Sequence, residues 1–433
     1  MIKKILILIV LVFSSFAQAL EISIDAKKHA KMPLVVGTFG LEQVKIEELV
    51  SQLAKDLEFS QQFKIEKIKI NDDRLQKDFL QGLAQRNMPL GLFVNVLSGH
   101  GKTIQFEWRL YDLFSLKMLA GKIVTCHGSL NQVAHIVANK VWQELMGVTG
   151  FFNSVIVACQ KVKKNNKIYQ YIYAFHVTNG AVGKKLLIDT HTISMAPRWH
   201  PKRRLLYYSQ HTPKNVRLMS VDEHGRKKIV TDFSGLNLTP AISPKGQIVV
   251  SLSSGGCEKL YRYDYDPAHK TNKFTALTDC RMHAVSPTFI DEEHVVFCAI
   301  ESASKLPRIA ILNTVKRTAV FLTGKSFCVS PAYCAMQHKI AYCKKINGVQ
   351  QIFSYDLKTK EHAQLTSSSG DKDECSWSPC GNYLIFTEYG KQGNRIALYS
   401  LIGRTVNYLT PIGESWSFPA WSPCYDDSLF VEC

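Results

Sequence analysis

Ala196-Pro197-Arg198-Trp199 returns along the chain as Thr239-Pro240-Ala241-Ile242, Ser286-Pro287-Thr288-Phe289, Ser330-Pro331-Ala332-Tyr333 and Pro419-Ala420-Trp421-Ser422-Pro423. One slot in this word is always large and apolar. Trp199, Ile242, Phe289, Tyr333, Trp377 and Trp421 occupy it at steps of 43, 47, 44, 44 and 44 residues. A fixed period of this size marks a stacked or circular repeat, whose units bury their apolar faces against each other. The period therefore decides the fold ahead of any local motif.

Each unit reads as four short strands. The anchor word is followed by an apolar run: Leu205 to Tyr208, Ile248 to Leu252, Val295 to Cys298, Ile340 to Cys343, Leu384 to Thr387. After a polar turn comes an alternating run such as Ile352 to Asp356 or Ile396 to Leu401, and the unit closes on Val230-Thr231, Leu277-Thr278, Leu322-Thr323, Leu365-Thr366 or Leu409-Thr410. Alternating β-branched and aromatic residues between Gly, Asn and Pro are strand and turn signals. Four strands in such a period make one propeller blade, whereas a β-solenoid has a shorter repeat. The last anchor, Pro419 to Pro423, has too little chain after it for four strands, while Val155 to Cys159, Tyr171 to Val177 and Lys185 to Ile188 look like a unit without its anchor. Joined, these two pieces make one blade and close a six-bladed ring without open edges. Leu429-Phe430-Val431 aligns with Ile385-Phe386-Thr387 and competes for the place of Val155 to Cys159.

The region before residue 150 has a different rhythm. Leu34 to Phe39 and Phe63 to Ile68 read as strands around an amphipathic helix from Glu42 to Glu58, in which Ile46, Leu49, Val50, Leu53 and Leu57 fall at helical spacing. A second helix (Asp72 to Arg86), three strands (Leu90 to Leu97, Thr103 to Asp112, Leu119 to Thr125) and a helix from Asn131 to Met146 complete it. The expected fold is an α/β N-terminal domain followed by an all-β six-bladed propeller with WD40-like repeats. The expected boundaries are a signal peptide at 1–19, the α/β domain at 20–149 and the propeller at 150–433, closed by its N- and C-terminal strands. Lys3 and Lys4, the apolar run Ile5 to Phe13 and Ala17-Gln18-Ala19 carry the signal-peptide reading. That run is too short to span a bilayer.

Composition narrows the chemistry. The formal charge of +17 is spread along the chain, with short clusters at Lys161 to Lys167, Lys202 to Arg204 and Arg226 to Lys228 in predicted turns. Such charge is ordinary loop solvation; a nucleic-acid surface calls for a basic stripe with interleaved aromatics. In an exported chain the twelve cysteines invite a disulfide reading. However, Cys159, Cys298 and Cys343 fill one repeat slot, shared with Ser209 and Thr387, as small core residues do. Equivalent slots of neighbouring blades splay apart, so no particular pairing follows. Spacings such as Cys375-x4-Cys380 do not fit zinc ligation, and no metal or cofactor is expected. Gly99-His100-Gly101-Lys102-Thr103 imitates a phosphate loop, but Val96 stands where its first glycine belongs, and a hairpin turn is the better reading. Cys126 and His127 are adjacent on a predicted strand and so point to opposite faces. Neither a nucleophile elbow nor an H-E-x-x-H helix occurs.

A leader, a small α/β domain and a six-bladed ring with a W-S-P-type anchor, in that order, resemble the TolB family of the Gram-negative Tol-Pal envelope system. The telling words are Arg109-Leu110-Tyr111-Asp112, Leu145-Met146-Gly147-Val148-Thr149-Gly150 and Ser417-Phe418-Pro419-Ala420-Trp421-Ser422-Pro423. Two features depart from the family pattern. Lys245, Cys380 and Cys424 replace the turn Asp of W-S-P-D-G, and the chain continues beyond Pro423. The resemblance implies a non-enzymatic periplasmic scaffold that supports outer-membrane integrity and constriction at cell division. It would lie peripheral to outer membrane and peptidoglycan. Its implied partners are a Pal-like peptidoglycan-associated lipoprotein at one mouth of the channel and a TolA-like inner-membrane protein at the N-terminal segment, with no nucleic acid. Carried onto this sequence, the lipoprotein face comprises Leu236, Asn237, Thr239, His283 and Val285. The N-terminal segment comprises Glu21, Ile22, Ile24 and Asp25, where Ile22 and Ile24 share one face of an extended strand suited to β-augmentation. The competing reading is an exported propeller enzyme of lactonase or hydrolase type, which needs acidic or histidine side chains converging on the axis. Asn237, His283, Asp373 and Glu374 do not recur at one blade position.

Overall fold

A computed structural model describes residues 31–39, 44–70, 75–100, 103–127, 129–189, 192–238, 240–254, 256–266 and 271–425. The leader, Glu21, Ile22, Ile24, Asp25, Thr239 and the tail Leu429 to Val431 lie outside the described residues.

The N-terminal domain has strands β1 (Met32–Thr38), β2 (Phe63–Lys69), β3 (Leu90–His100), β4 (Thr103–Asp112) and β5 (Lys117–His127) in the order β2-β1-β3-β4-β5. Its helices are α1 (Val44–Phe59), α2 (Lys77–Gln85) and α3 (Leu130–Met146). The imitation phosphate loop falls between two antiparallel strands, with His100 opposite Thr103 in the β3–β4 ladder. Helix α3 starts on a Ser129–Gln132 capping box and stops at Gly147, whose φ of 68° ends the helix in the left-handed region.

Six four-stranded sheets follow. Blade 1 comprises Ser194–Trp199, Leu205–His211, Val216–Asp222 and Lys227–Thr231; blade 2, Ala241–Ile242, Ile248–Ser254, Cys257–Asp266 and Thr271–Ala276. Blade 3 comprises Met282–Phe289, His294–Glu301, Pro307–Asn313 and Thr318–Phe321; blade 4, Cys328–Cys334, Lys339–Ile346, Val349–Asp356 and His362–Gln364. Blade 5 comprises Lys372–Trp377, Tyr383–Glu388, Arg395–Ser400 and Thr405–Tyr408. The closing blade pairs Ser415–Trp421 with β6 (Val155–Lys164), β7 (Lys167–His176) and β8 (Lys185–Ile188). Trp421 sits opposite Ile156, so β6 holds the place for which the tail was a competitor.

The repeated words have physical causes. Each anchor ends an inner strand, and its indole can bond to the blade before it: Trp199 Nε1 donates to Ala420 O at 3.2 Å and Trp377 Nε1 to Ala332 O at 3.0 Å. Three positions before the anchor, Ala196, Ser286, Ser330, Glu374 and Phe418 all have φ between 52° and 60°. At the same place the ladder slips by a bulge. A bulged residue is unpaired, so proline, with no N–H to lose, is tolerated beside it. The closing Leu-Thr word is a strand clasp. In Thr278, Thr323, Thr366 and Thr410 the hydroxyl accepts the N–H of Leu260, Ile309, Ile352 and Ile396 at 2.9–3.0 Å.

The slot shared by cysteines, serines and threonine stitches blade to blade. Cys159, Ser209, Ser251, Cys298, Cys343 and Thr387 are all buried. Ser209 Oγ donates to Asn237 O, Ser251 Oγ to Ala284 O and Cys298 Sγ to Cys328 O, each in the next blade. Thr387 Oγ1 accepts the Phe418 N–H of the closing blade. A short side chain with one polar atom is what this seam admits.

One core runs through both domains. Trp142, Phe151, Phe152, Trp416, Trp421 and Tyr383 belong to a single buried cluster with the inner faces of β1, β3 and β4. Phe151 stacks 4.8 Å from Tyr383, whose hydroxyl donates to Ser60 O at 2.6 Å. Beside it lies a buried polar cluster from α1, α3 and β7. His135 Nδ1 meets Asp56 Oδ2 at 2.5 Å, His135 and His176 stack at 4.0 Å, and Gln52 donates to Asp56 Oδ1 at 2.8 Å. The domains are thus fixed at the seam between blade 5 and the closing blade.

Candidate partner-binding face

Because the blade strands are antiparallel, the loops entering each inner strand lie on the same face as the hairpins between second and third strands. The α/β domain contacts the opposite face, around Tyr383 and Gly403. Among the described residues the loop face is accordingly clear of the N-terminal domain. Three devices hold its loops in place. Asn237 is fully buried, and its amide closes on Phe233, donating to Phe233 O at 2.8 Å and accepting Phe233 N–H at 3.1 Å. A disulfide joins Cys257, at the hairpin of blade 2, to Cys280, in the loop entering blade 3. Lys372, also fully buried, donates to the carbonyls of Ser368, Ser369 and Gly370 at 2.9, 3.2 and 2.7 Å. Loops ordered in advance lose less entropy when a partner binds.

Among the sequence-predicted residues, Leu236 stands 38% exposed, with its N–H on Ser253 Oγ at 2.9 Å. Val285 is half-buried at the bulge of blade 3. His283 is bound through Nδ1 to Glu258 Oε2 at 2.5 Å, next to the disulfide. Asn237 does not present its side chain; it shapes the loop that carries Leu236. Sequence reasoning passed over Phe233, 47% exposed and packed edge-on to Phe274 at 4.9 Å, and Glu258. Aromatic residues are enriched at the cores of interfaces, and Phe233, lying outside the repeated word, had no periodic signal. The disulfide was equally illegible, because its cysteines occupy non-equivalent blade positions.

The side chains that an axial catalytic centre would draw on are engaged separately. Glu374 takes hydrogen bonds from Thr387 Oγ1 at 2.6 Å, Phe418 N at 2.6 Å and Tyr389 OH at 3.2 Å. Burial outweighs these bonds and pushes its carboxyl up to about 7. Asp373 accepts the Glu374 N–H at 2.8 Å. Among the described residues no three His, Cys, Asp or Glu side chains are grouped to hold a metal ion.

Fold and face together define a six-bladed propeller whose loop face is held by side-chain and disulfide clamps. Residues 142–425 match the TolB beta propeller domain, PD40, and the chain belongs to that family. It is 24% identical over 249 residues to the Tol-Pal system protein TolB of Gluconobacter oxydans, covering 56% of this chain and 53% of that protein. With the Rickettsia akari protein of the same name it shares 26% identity over 262 residues, 58% of each. The chain thus matches a little over half the length of these curated relatives. The crystal structure of TolB from Acinetobacter baumannii superposes with a TM-score of 0.76 at 19% identity, over 91% of this chain and 97% of that one, and so shares the fold. Homology makes this a periplasmic propeller protein of the TolB family.

Proposed function

We propose that the protein is the periplasmic scaffold of a Tol-Pal system. Its loop face binds a Pal-like peptidoglycan-associated lipoprotein, and Glu21, Ile22, Ile24 and Asp25 bind a TolA-like inner-membrane protein by adding a strand to it. The observation that carries this reading is the clamped loop face, clear of the α/β domain among the described residues, on a member of the TolB family. Leu236 and Val285 form the apolar contact, with His283 at its margin, while Asn237 acts through the loop; Thr239 joins them on the family resemblance alone. Two partners bound at separate segments of the chain would link peptidoglycan to the inner membrane.

The test is calorimetric titration of the exported protein with the soluble domain of its organism's peptidoglycan-associated lipoprotein. Leu236→Arg is expected to weaken binding at least tenfold, a loss of about 1.4 kcal/mol, with the melting temperature unmoved because Leu236 is exposed. Val285→Arg should act in the same direction. Removal of residues 20–25 should abolish capture of the TolA-like partner and leave lipoprotein affinity intact. Unchanged affinity in a folded Leu236→Arg protein would rule out this face.

A further inference from the structure

In each slot where the hydroxyl or thiol donates directly across the blade seam, the acceptor is a backbone oxygen, except at Cys343. Its sulfur lies 3.8 Å from the sulfur of Cys375, on the inner strand of blade 5. Both thiols are buried and both are free in this structure. A disulfide needs about 2.05 Å between sulfurs, so the pair closes by a movement of under about 2 Å, within reach of side-chain rotation between packed strands. The other bridge of this chain already shows two blades joined through sulfur at the loop face.

We propose that Cys343 and Cys375 form a second, internal disulfide that locks blade 4 to blade 5 in the exported protein; the proposal rests on the periplasmic location, where thiols meet an oxidising medium. The step is a thiol–disulfide exchange. One thiolate attacks the disulfide of a protein dithiol oxidant and forms a mixed disulfide. The second thiolate then displaces the oxidant, so that two S–H bonds are lost, one S–S bond forms, and two electrons and two protons leave with the reduced oxidant. Folding sets the time of this reaction. In the closed ring burial pushes the Cys343 thiol well up, and a buried thiol supplies no thiolate for attack. Oxidation therefore precedes packing of blade 5 on blade 4, while the two cysteines, 32 residues apart, are still accessible.

The experiment takes the full-length exported protein from cells quenched in acid. It is denatured with an alkylating reagent, digested without reduction and mapped by mass spectrometry. The expected result is one linked peptide pair for Cys257–Cys280 and another for Cys343–Cys375, with a portion kept unalkylated and undigested giving an intact mass about 4 Da below the reduced chain, two hydrogens per bridge. Alkylated Cys343 and Cys375 beside a closed Cys257–Cys280 bridge would overturn the proposal and leave the periplasmic reading standing. Alkylation of all four would overturn the proposal and count against that reading as well. A link from Cys343 to any other cysteine also overturns it.

Discussion

A chain ending at Glu414 is expected to lose its cooperative unfolding transition. The missing inner strand, Ser415–Trp421, is the partner of β6, and without it β6 and the inner strand of blade 5 face solvent at an open seam. Trp416 is fully buried against Tyr173 and Phe175, and Trp421 is buried with its indole donating to Ser154 Oγ at 2.7 Å. Each tryptophan deleted from a core costs about 3–5 kcal/mol. Two of them approach the whole stability of a typical domain, about 5–15 kcal/mol, before the ladder is counted. The single change Trp421→Ala should cost about 3–5 kcal/mol and keep a cooperative transition. Urea unfolding followed by tryptophan fluorescence and near-ultraviolet circular dichroism reads both variants. Cooperative unfolding of the truncated chain at a normal midpoint would show that the ring closes by another strand.

Acidification is expected to destabilise the protein through the histidines between the domains. Burial drives the His176 pKa well below its ordinary value, with repulsion from His135 and Lys55 adding to it. Asp56 faces the cluster from α1 through His135. A base whose folded pKa is depressed binds fewer protons folded than unfolded between the two pKa values, so stability is full above about 6.5 and falls as pH drops. The slope for one proton is about 1.4 kcal/mol per pH unit. Glu374 has the opposite sign. Its folded pKa is raised to about 7, so its contribution is full below the ordinary carboxylate value and is lost as pH rises through 7. Urea titrations from about pH 5 to 8 on the wild type and His176→Phe separate the two. The acid loss should flatten in the variant, and an identical acid limb would remove His176 from the account.

Much of this architecture was legible because a ring repeats its constraints. The anchor aromatics, the Leu-Thr clasp and the small slot residues recur since each blade solves the same contact with the next. The α/β domain was legible for a different reason. Leu49, Val50, Leu53 and Leu57 mark one helix face, and the strand runs around them alternate. What escaped reading is what does not repeat or carries no residue-type signal. The left-handed bulge is occupied by Ala196, Ser286, Ser330, Glu374 and Phe418, none of them the glycine that such a backbone normally advertises. The inner strand of blade 2 shrinks to Ala241–Ile242, with Asn237 bridging separately to Leu252 of the same blade. On the loop face, the family resemblance proposed Leu236 and Val285, and only the folded loop distinguishes a presented leucine from an asparagine turned inward. The approach of Cys343 to Cys375 joins different strands of different blades and leaves no periodic trace.

The closing blade also sets a schedule. The Val155 N–H waits for the Ser422 hydroxyl, 267 residues further along the chain, and every strand in between must pass before the ring has a partner for its first edge. Such distant pairing makes folding slow. For a periplasmic protein that delay is useful, since a chain that cannot lock until its last inner strand arrives stays threadable throughout its passage across the inner membrane. The seam that completes the ring thus separates transport from assembly in time.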